Sequence, residues 1–292
     1  MRPTRSIMNK VVVVTDSGAH LSQELADKYG IHVILVRITV EGKVYRDTNE
    51  DLPPEVIRRF QKLAQIDTTP WPPTIYCEAY KQAGQKANKV VHVVGSSQLS
   101  STMSSAKTGA RMAEEAIPGL KVELFDSEVF AMAQGFIALA AARAAARDKD
   151  IREVIEAATD VKSRVNQVFV LNTFGYLKRT GRVNKLFEWS SSTLRARPMV
   201  NFSPGRVEPV SLLRTKSQVV KNLVKVVQDN IDSVQPLHVA VTYSEQSEEA
   251  EELIEAIKEQ FHPVEFYHMS FTPTGQAVGG PGILGVTFYQ GD

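Results

Sequence analysis

Three short strand-like segments constrain this chain most, because each ends in a hydroxyl- or carboxylate-bearing turn and is followed by a helical pattern. Val11 to Val14 leads into Thr15-Asp16-Ser17, and Val90 to Val94 into Gly95-Ser96-Ser97-Gln98-Leu99-Ser100-Ser101-Thr102. Val122 to Phe125 leads into Asp126-Ser127. Val11 to Val14 is a continuous apolar run, as in a strand buried on both faces, and the other two segments read as further strands. Strands alternating with helices imply a parallel sheet covered by helices. In such a sheet the three polar turns open on one edge, the carboxyl edge, where open α/β sheets bind ligands. A helix over Leu99 to Ala116 would put the Ser-Ser turn near its first turn, where unpaired N–H groups and the positive dipole end suit an anion. Ser and Thr are also ordinary N-cap residues, and Asp16 and Asp126 fit the same capping role.

The remaining signals divide the chain in two. Ser22 caps a helix through Lys28 that Gly30 ends, and Ile31 to Val40 reads as one strand with Glu41-Gly42-Lys43 as its turn. Asp51 with Pro53 and Pro54 starts a helix. Thr68-Thr69-Pro70-Trp71-Pro72-Pro73 is a loop, with helix resuming near Thr74. An Ala-rich apolar helix runs from Val129 to Arg147, interrupted by Gln134. It falls short of the ~20 residues of a membrane span. Beyond it the pattern changes to helix Ile151 to Arg164, strand Val168 to Leu171, and a loop from Asn172 to Arg182. Pro198 to Phe202 and Arg206 to Leu213 flank Ser203-Pro204-Gly205 as a hairpin. Then come helix Ser217 to Asn230, strand Leu237 to Tyr243, helix Glu248 to Phe261, strand Val264 to His268 and strand Gly285 to Tyr289. The expected architecture is α/β in two domains. Residues 1–150 form a parallel sheet with flanking helices, and residues 151–292 an α+β domain on a mixed or antiparallel sheet.

With 292 residues and 43% hydrophobic content the chain can bury a sizeable core, and a net charge of +1 offers no global field for nucleic acid or an anionic membrane. Cys77 is the only cysteine, so an intrachain disulfide and a Cys-based zinc site are excluded. That suits a reducing cytoplasm, and no signal-peptide h-region precedes the first strand. The six histidines form no metal-binding pair. Gly-x-Ser-x-Gly and Walker A sequences are absent as well. What the residues describe is a hydroxyl-lined crevice without a visible catalytic machine, and buried polar groups there need partners that a bound carboxylate would supply.

Seven segments, in order, resemble the DegV family over nearly the whole chain. Thr15-Asp16-Ser17 follows the first strand. Thr68-Thr69-Pro70-Trp71-Pro72-Pro73 stands where the family has Thr-Ser-Gln-Pro-Ser-Pro. Ser96 to Ala106 is similar to Ser-Ser-x-Leu-Ser-Gly-Thr-Tyr-x-Ser-Ala, and Asp126-Ser127 with Gly135 to the next block. Leu177-Lys178-Arg179-Thr180-Gly181-Arg182-Val183 is similar to Leu-x-x-Gly-Gly-Arg-Ile. Arg197-Pro198-Met199, with Gly205 and Arg214, is similar to the Lys-Pro-Ile hairpin. Gly280-Pro281-Gly282-Ile283-Leu284-Gly285 is similar to Gly-Pro-Gly-Ala-Leu-Gly.

The resemblance implies a lipid-binding protein rather than an enzyme, with no cofactor and one long-chain fatty acid in an apolar tunnel between the two domains. By position, Thr68, Thr69, Ser96 and Ser97 would hold its carboxylate. A separate ATP-dependent fatty acid kinase would make acyl phosphate from the presented acid, with Arg179, Arg182 and Arg214 as candidate rim contacts. Gly280 and Gly282 lie near the implied site. Val278 stands where the family often has His, and Trp71, Ser101 and Met103 also depart from its pattern. Two other readings stand beside this one. One is a carboxylate or phosphate-ester enzyme using Asp16 or Ser97. The other is a carrier or regulatory protein without a kinase partner.

Overall fold

The computed structural model describes residues 10–48, 50–52, 54–59, 66–180, 196–203, 206–232 and 234–292. In chain order the first elements are β1 (Val11–Asp16), α1 (Gln23–Tyr29), β2 (His32–Ile34), β3 (Arg37–Val40), β4 (Lys43–Arg46), α2 (Pro54–Arg59) and β5 (Ile66–Asp67). Next come α3 (Pro73–Gly84), β6 (Lys89–Val94), α4 (Thr102–Ala116), β7 (Lys121–Asp126), α5 (Ala131–Ala146) and α6 (Ile151–Arg164). The remainder comprises β8 (Asn166–Val170), α7 (Gly175–Arg179), β9 (Arg197–Ser203), β10 (Arg206–Leu213), α8 (Lys216–Asp229) and β11 (Leu237–Tyr243). It ends with α9 (Glu248–Phe261), β12 (Glu265–Ser270), α10 (Pro273–Gly279) and β13 (Leu284–Gln290). The described residues up to Arg37, with Thr69–Ser163, form one compact unit, and Ile38–Thr68 with Arg164–Asp292 form the other.

The first unit is built on a parallel sheet of order β2-β1-β6-β7. Its strands are apolar because helices cover them. Val14, Ile34, Val90 and Val122 pack with Tyr76, Tyr80 and Ala83 of α3 and with Ala106, Ala110 and Ala113 of α4. At ~1.5–3 kcal/mol per buried aliphatic side chain, this layer supplies much of the unit's stability. α3 and α4 approach closely because α4 carries Gly109, where a Cβ would lie 2.6 Å from the Pro73 carbonyl and 2.7 Å from the Tyr76 Cβ. α5 packs against β1 and β6 and is buried almost all round, which explains its lack of a polar face. The N-terminal cap at Ser22 and the left-handed Gly30 cap of α1 are as expected.

The second unit carries a mixed six-stranded sheet of order β10-β9-β8-β13-β11-β12, in which β11 and β12 are parallel and the other pairs antiparallel. Leu223 and Val227 of α8 and Leu253 and Ile257 of α9 pack with Val239, Val241, Val286 and Phe288. A smaller sheet, β4-β3-β5, packs Ile38 and Val40 with Leu52 and with Ala277 of α10.

Three expectations are corrected. The segment Ile31 to Val40 is two strands, because at Leu35-Val36 the backbone leaves the parallel sheet. The Val36 N–H donates to Ser17 Oγ at 3.1 Å, and the Leu35 carbonyl accepts from Trp71 Nε1 at 2.7 Å. The helix expected from Leu99 starts at Thr102, because the Ser96 carbonyl accepts from the Leu99 and Ser100 N–H groups and closes a separate turn first. The stretch expected as a loop from Asn172 contains the one-turn helix α7, followed by residues outside the described set.

Candidate functional site at the carboxyl edge of the parallel sheet

Strand order reverses between β1 and β6, whose carboxyl ends are adjacent through the Thr15–Val93 pairing, and β7 joins them through Val94–Asp126. This is the topological switch point at which open α/β sheets hold ligands. The edge brings together Thr15, Asp16, Ser17, Ser96, Thr102, Ser127 and Gln134, all buried.

Most local donors there are already engaged. Asp16 accepts from the Gly18 N–H at 2.9 Å and the Gly95 N–H at 3.4 Å. Asp126 accepts from the Ser97 N–H at 3.2 Å and the Glu128 N–H at 3.0 Å. The Ser96 N–H donates to the Val129 carbonyl at 3.0 Å, and the Thr102 N–H donates to Ser100 Oγ at 3.2 Å. The Ser96, Ser97 and Thr102 N–H groups of this turn are therefore taken by the protein. Asp16 and Asp126 act as caps of their own turns.

The buried polar atoms with no hydrogen-bond partner among the described residues include Ser96 Oγ and Gln134 Oε1 at this edge and Tyr76 Oη beneath it. Gln134 comes from α5 and was noticeable in the sequence only as a polar break in an apolar helix. Its amide orientation follows from its neighbours. Nε2 donates to the Val93 carbonyl at 3.2 Å and to Thr15 Oγ1 at 3.1 Å, while Thr15 Oγ1 donates to the same carbonyl at 2.9 Å. A carbonyl can only accept, so the amide nitrogen must face it and Oε1 must face away. Oε1 lies beside Gly95, where a Cβ would sit 3.1 Å from it. Gly95 is half-buried and Ser97, two residues on, is exposed. Below the edge, burial and then the Asp16 charge hold the Tyr76 phenol well above its ordinary range. Burial pushes His20 and His92 down to about 3, so both are neutral. His92 Nδ1 pairs with Tyr80 Oη at 2.7 Å.

Thr69 reaches the same edge indirectly. Its carbonyl accepts from Arg37 Nε at 2.9 Å, and Trp71 anchors the loop on Leu35, next to the Val36 that Ser17 holds. Thr69 is exposed and Thr68 half-buried, and Thr68 belongs to the second unit.

The remaining candidates lie in the second unit. Gly280, at φ 84°, follows α10, and Gly282 has φ 70°. A Cβ on Gly280 would run into the Tyr176 ring. Asn172 Nδ2 donates to the Pro281 carbonyl at 2.8 Å, and Arg197 Nη2 to the Gly282 carbonyl at 2.9 Å. Arg197 in turn bridges both oxygens of Glu249 at 2.7 Å. Val278 is half-buried in α10 and Arg214 is exposed just after β10. Arg182 and Gly181, together with the side chain of Arg179, lie outside the described residues. Among the described residues no cluster of His, Cys, Asp and Glu could hold a metal, and no helix is long and apolar enough to cross a membrane.

Known proteins match this architecture end to end. In sequence, the chain is 28% identical over 284 residues to protein DegV of Bacillus subtilis, covering 94% of this chain and 98% of that one. In structure, it is similar to DegV of Bacillus subtilis, described as a fatty acid binding protein, with a TM-score of 0.84, 25% identity, and coverage of 97% and 99%. A fatty-acid-binding DegV family protein from Thermus thermophilus has the same fold, with a TM-score of 0.87, 22% identity, and coverage of 96% and 99%. The family profile described as "uncharacterised protein, DegV family" matches residues 10–291, and the chain belongs to the DegV family.

Proposed function

We propose that this protein binds one long-chain fatty acid, with its carboxyl group at the Ser96–Ser97 turn and its tail in an apolar tunnel. The observation that carries this reading is the pair of partnerless buried atoms, Ser96 Oγ and Gln134 Oε1, at the sheet's switch point. Buried polar groups are nearly always paired, so a ligand group at this edge would satisfy both atoms. The fatty acid binding described for the Bacillus subtilis relative supports the choice of ligand. Thr68 and Thr69 complete the head-group set on the strength of their loop's anchorage to Arg37 and Leu35. The tail supplies most of the affinity. At ~0.8 kcal/mol per buried methylene, a C16 chain offers on the order of 10 kcal/mol before ordering costs. Asp16 and Asp126 are spent on backbone amides, which favours binding over catalysis.

The same reading makes the protein a cytoplasmic presenter of the acid to an ATP-dependent fatty acid kinase. Exposed Arg214, with Arg179 and Arg182, would receive that partner, since Arg is enriched at binding hot spots. The test has two arms. Mass spectrometry of lipid extracted from the purified protein should find about one fatty acid per chain, and an empty protein would refute the binding. Acyl-loaded protein given to a fatty acid kinase of the same organism should yield acyl phosphate, less so for Arg182→Ala. No turnover with a loaded parent protein would leave a lipid carrier without a kinase role.

A further inference from the structure

We propose that Lys162 is a positioning residue for the head-group turn: it fixes the bend that follows β7, and that bend sets the backbone of Ser96 and Ser97. This rests on the fatty-acid reading and adds to it a residue of α6. The bend runs from Asp126 to Ala131 and contains no glycine. It nevertheless turns through two left-handed residues, Glu128 at φ 59° and Ala131 at φ 50°. Left-handed backbone is unfavourable for a residue with a Cβ, so it persists where the surroundings hold it. Lys162 supplies that hold. Its ammonium lies 2.7 Å from Glu128 Oε1, donates to the Asp126 carbonyl at 3.0 Å, and sits 5.6 Å from the centre of the Phe125 ring. One side chain thus ties the end of β7 to the left-handed Glu128. The pair is largely shielded, with side chains 22% and 34% exposed, so salt screens it less than an open surface pair. Ser127 braces the bend from inside, its Oγ donating to the Val129 carbonyl at 3.0 Å and its N–H to the Val94 carbonyl at 3.0 Å.

The bend in turn holds the Ser96–Ser97 backbone at two points. The Val129 carbonyl accepts from the Ser96 N–H at 3.0 Å. Asp126 Oδ1 accepts from the Ser97 N–H at 3.2 Å while also taking the Glu128 N–H at 3.0 Å. Two consecutive amides of the turn therefore hang on the bend that Lys162 pins. A hydroxyl can aim a hydrogen bond only as well as its backbone is fixed, because such bonds weaken steeply with angle. Lys162 acts through the bend, since its ammonium is directed at Glu128 and the Asp126 carbonyl.

The experiment titrates palmitic acid into the delipidated full-length protein and its variants by calorimetry. Lys162→Met should weaken binding by about three- to tenfold, the worth of one well-placed hydrogen bond. Lys162→Arg, which keeps the charge and the donors, should recover most of that loss. Amide exchange followed by NMR should quicken at Ser96 and Ser97 in Lys162→Met and stay unchanged at Val91 and Val93 of β6. Glu128→Gly separates positioning from stability. It removes the ion pair but relieves the left-handed residue, so it should melt no lower than the parent and still bind palmitate more weakly. Lys149→Met, which breaks a surface pair with Glu153, is the charge control and should bind as the parent does. Parent affinity in both Lys162→Met and Glu128→Gly would overturn the inference and leave fatty-acid binding intact. So would an equal loss in Lys149→Met, or a loss in Lys162→Met that arginine does not restore and that comes with faster exchange throughout β6. A parent protein that takes up no palmitate would remove the fatty-acid reading and this inference with it.

Discussion

At the residue scale, the two serines of the turn have different stations. Ser96 is 2% exposed with its Oγ unpaired, while Ser97 is exposed with its N–H on Asp126. Ser97→Ala and Thr69→Ala should each weaken fatty-acid binding by roughly 1–3 kcal/mol, the range for a hydrogen bond to a charged or strongly polar group. The circular dichroism and melting of both variants should match the parent, because neither side chain packs in the core. Isothermal titration that finds unchanged affinity in both single variants and the double variant would remove these residues from the head-group set. His92 gives a pH effect. Its folded pKa of about 3 lies below its ordinary 6.5, so between those values the unfolded chain binds the extra proton. Stability is then complete above pH 6.5 and declines as pH falls toward 3, by up to ~1.4 kcal/mol per pH unit for this histidine, with His20 acting in the same direction. Denaturant midpoints at pH 5 and pH 7.5 should differ less in His92→Gln than in the parent. An equal difference would mean that His92 does not carry the effect.

At the element scale, legibility followed local chemistry. Strands β1, β6 and β7, with their polar ends on one edge, were readable because apolar runs and turn residues are short-range signals. The split of Ile31 to Val40 was not, since its cause is long-range: Ser17 and Trp71 hold the Leu35-Val36 backbone from elsewhere in the chain. The seven-residue α10 escaped notice because Gly275 and Gly279 weaken any helical pattern, and only Thr272 and Pro273 mark its start. Ser96-Ser97 is legible as a polar turn at a strand's carboxyl end, but the place of Gln134 beside it is not, because one polar residue in an apolar helix does not say what it faces. The Gly-Pro-Gly turn after α10 supports a stability prediction. At φ 84° and ψ 176°, Gly280 occupies backbone space essentially reserved for glycine, with the Tyr176 ring where a Cβ would go. Gly280→Ala should destabilise by about 2–5 kcal/mol through strain and overpacking combined. A urea midpoint within ~0.5 kcal/mol of the parent would mean that the turn can relax freely.

At the scale of the whole molecule, the chain passes between its two units after Arg37, Thr68 and Ser163. Composition does not announce these crossings. The segment from Ile38 to Thr68 joins the second unit through contacts remote in sequence, such as Leu52 with Ala277 and Asp47 Oδ1 with the Thr274 N–H at 2.7 Å. Two compact units need not unfold together, so a single melting temperature is not assumed. Ligand linkage then becomes an informative measurement. A fatty acid that binds only the folded protein adds about 2.7 kcal/mol at a hundredfold excess over its Kd. Stripping the lipid should therefore lower the transition of whichever unit holds it, and adding back one equivalent or more should restore it. Hydrogen exchange by mass spectrometry locates the effect. Peptides spanning 11–18, 93–102 and 129–136 should exchange faster after delipidation and slow again on reloading, because they carry Asp16, Ser96 and Gln134. Reloading that raises the melting transition while leaving all three peptides unchanged would put the head group elsewhere and overturn the assignment of this sheet edge.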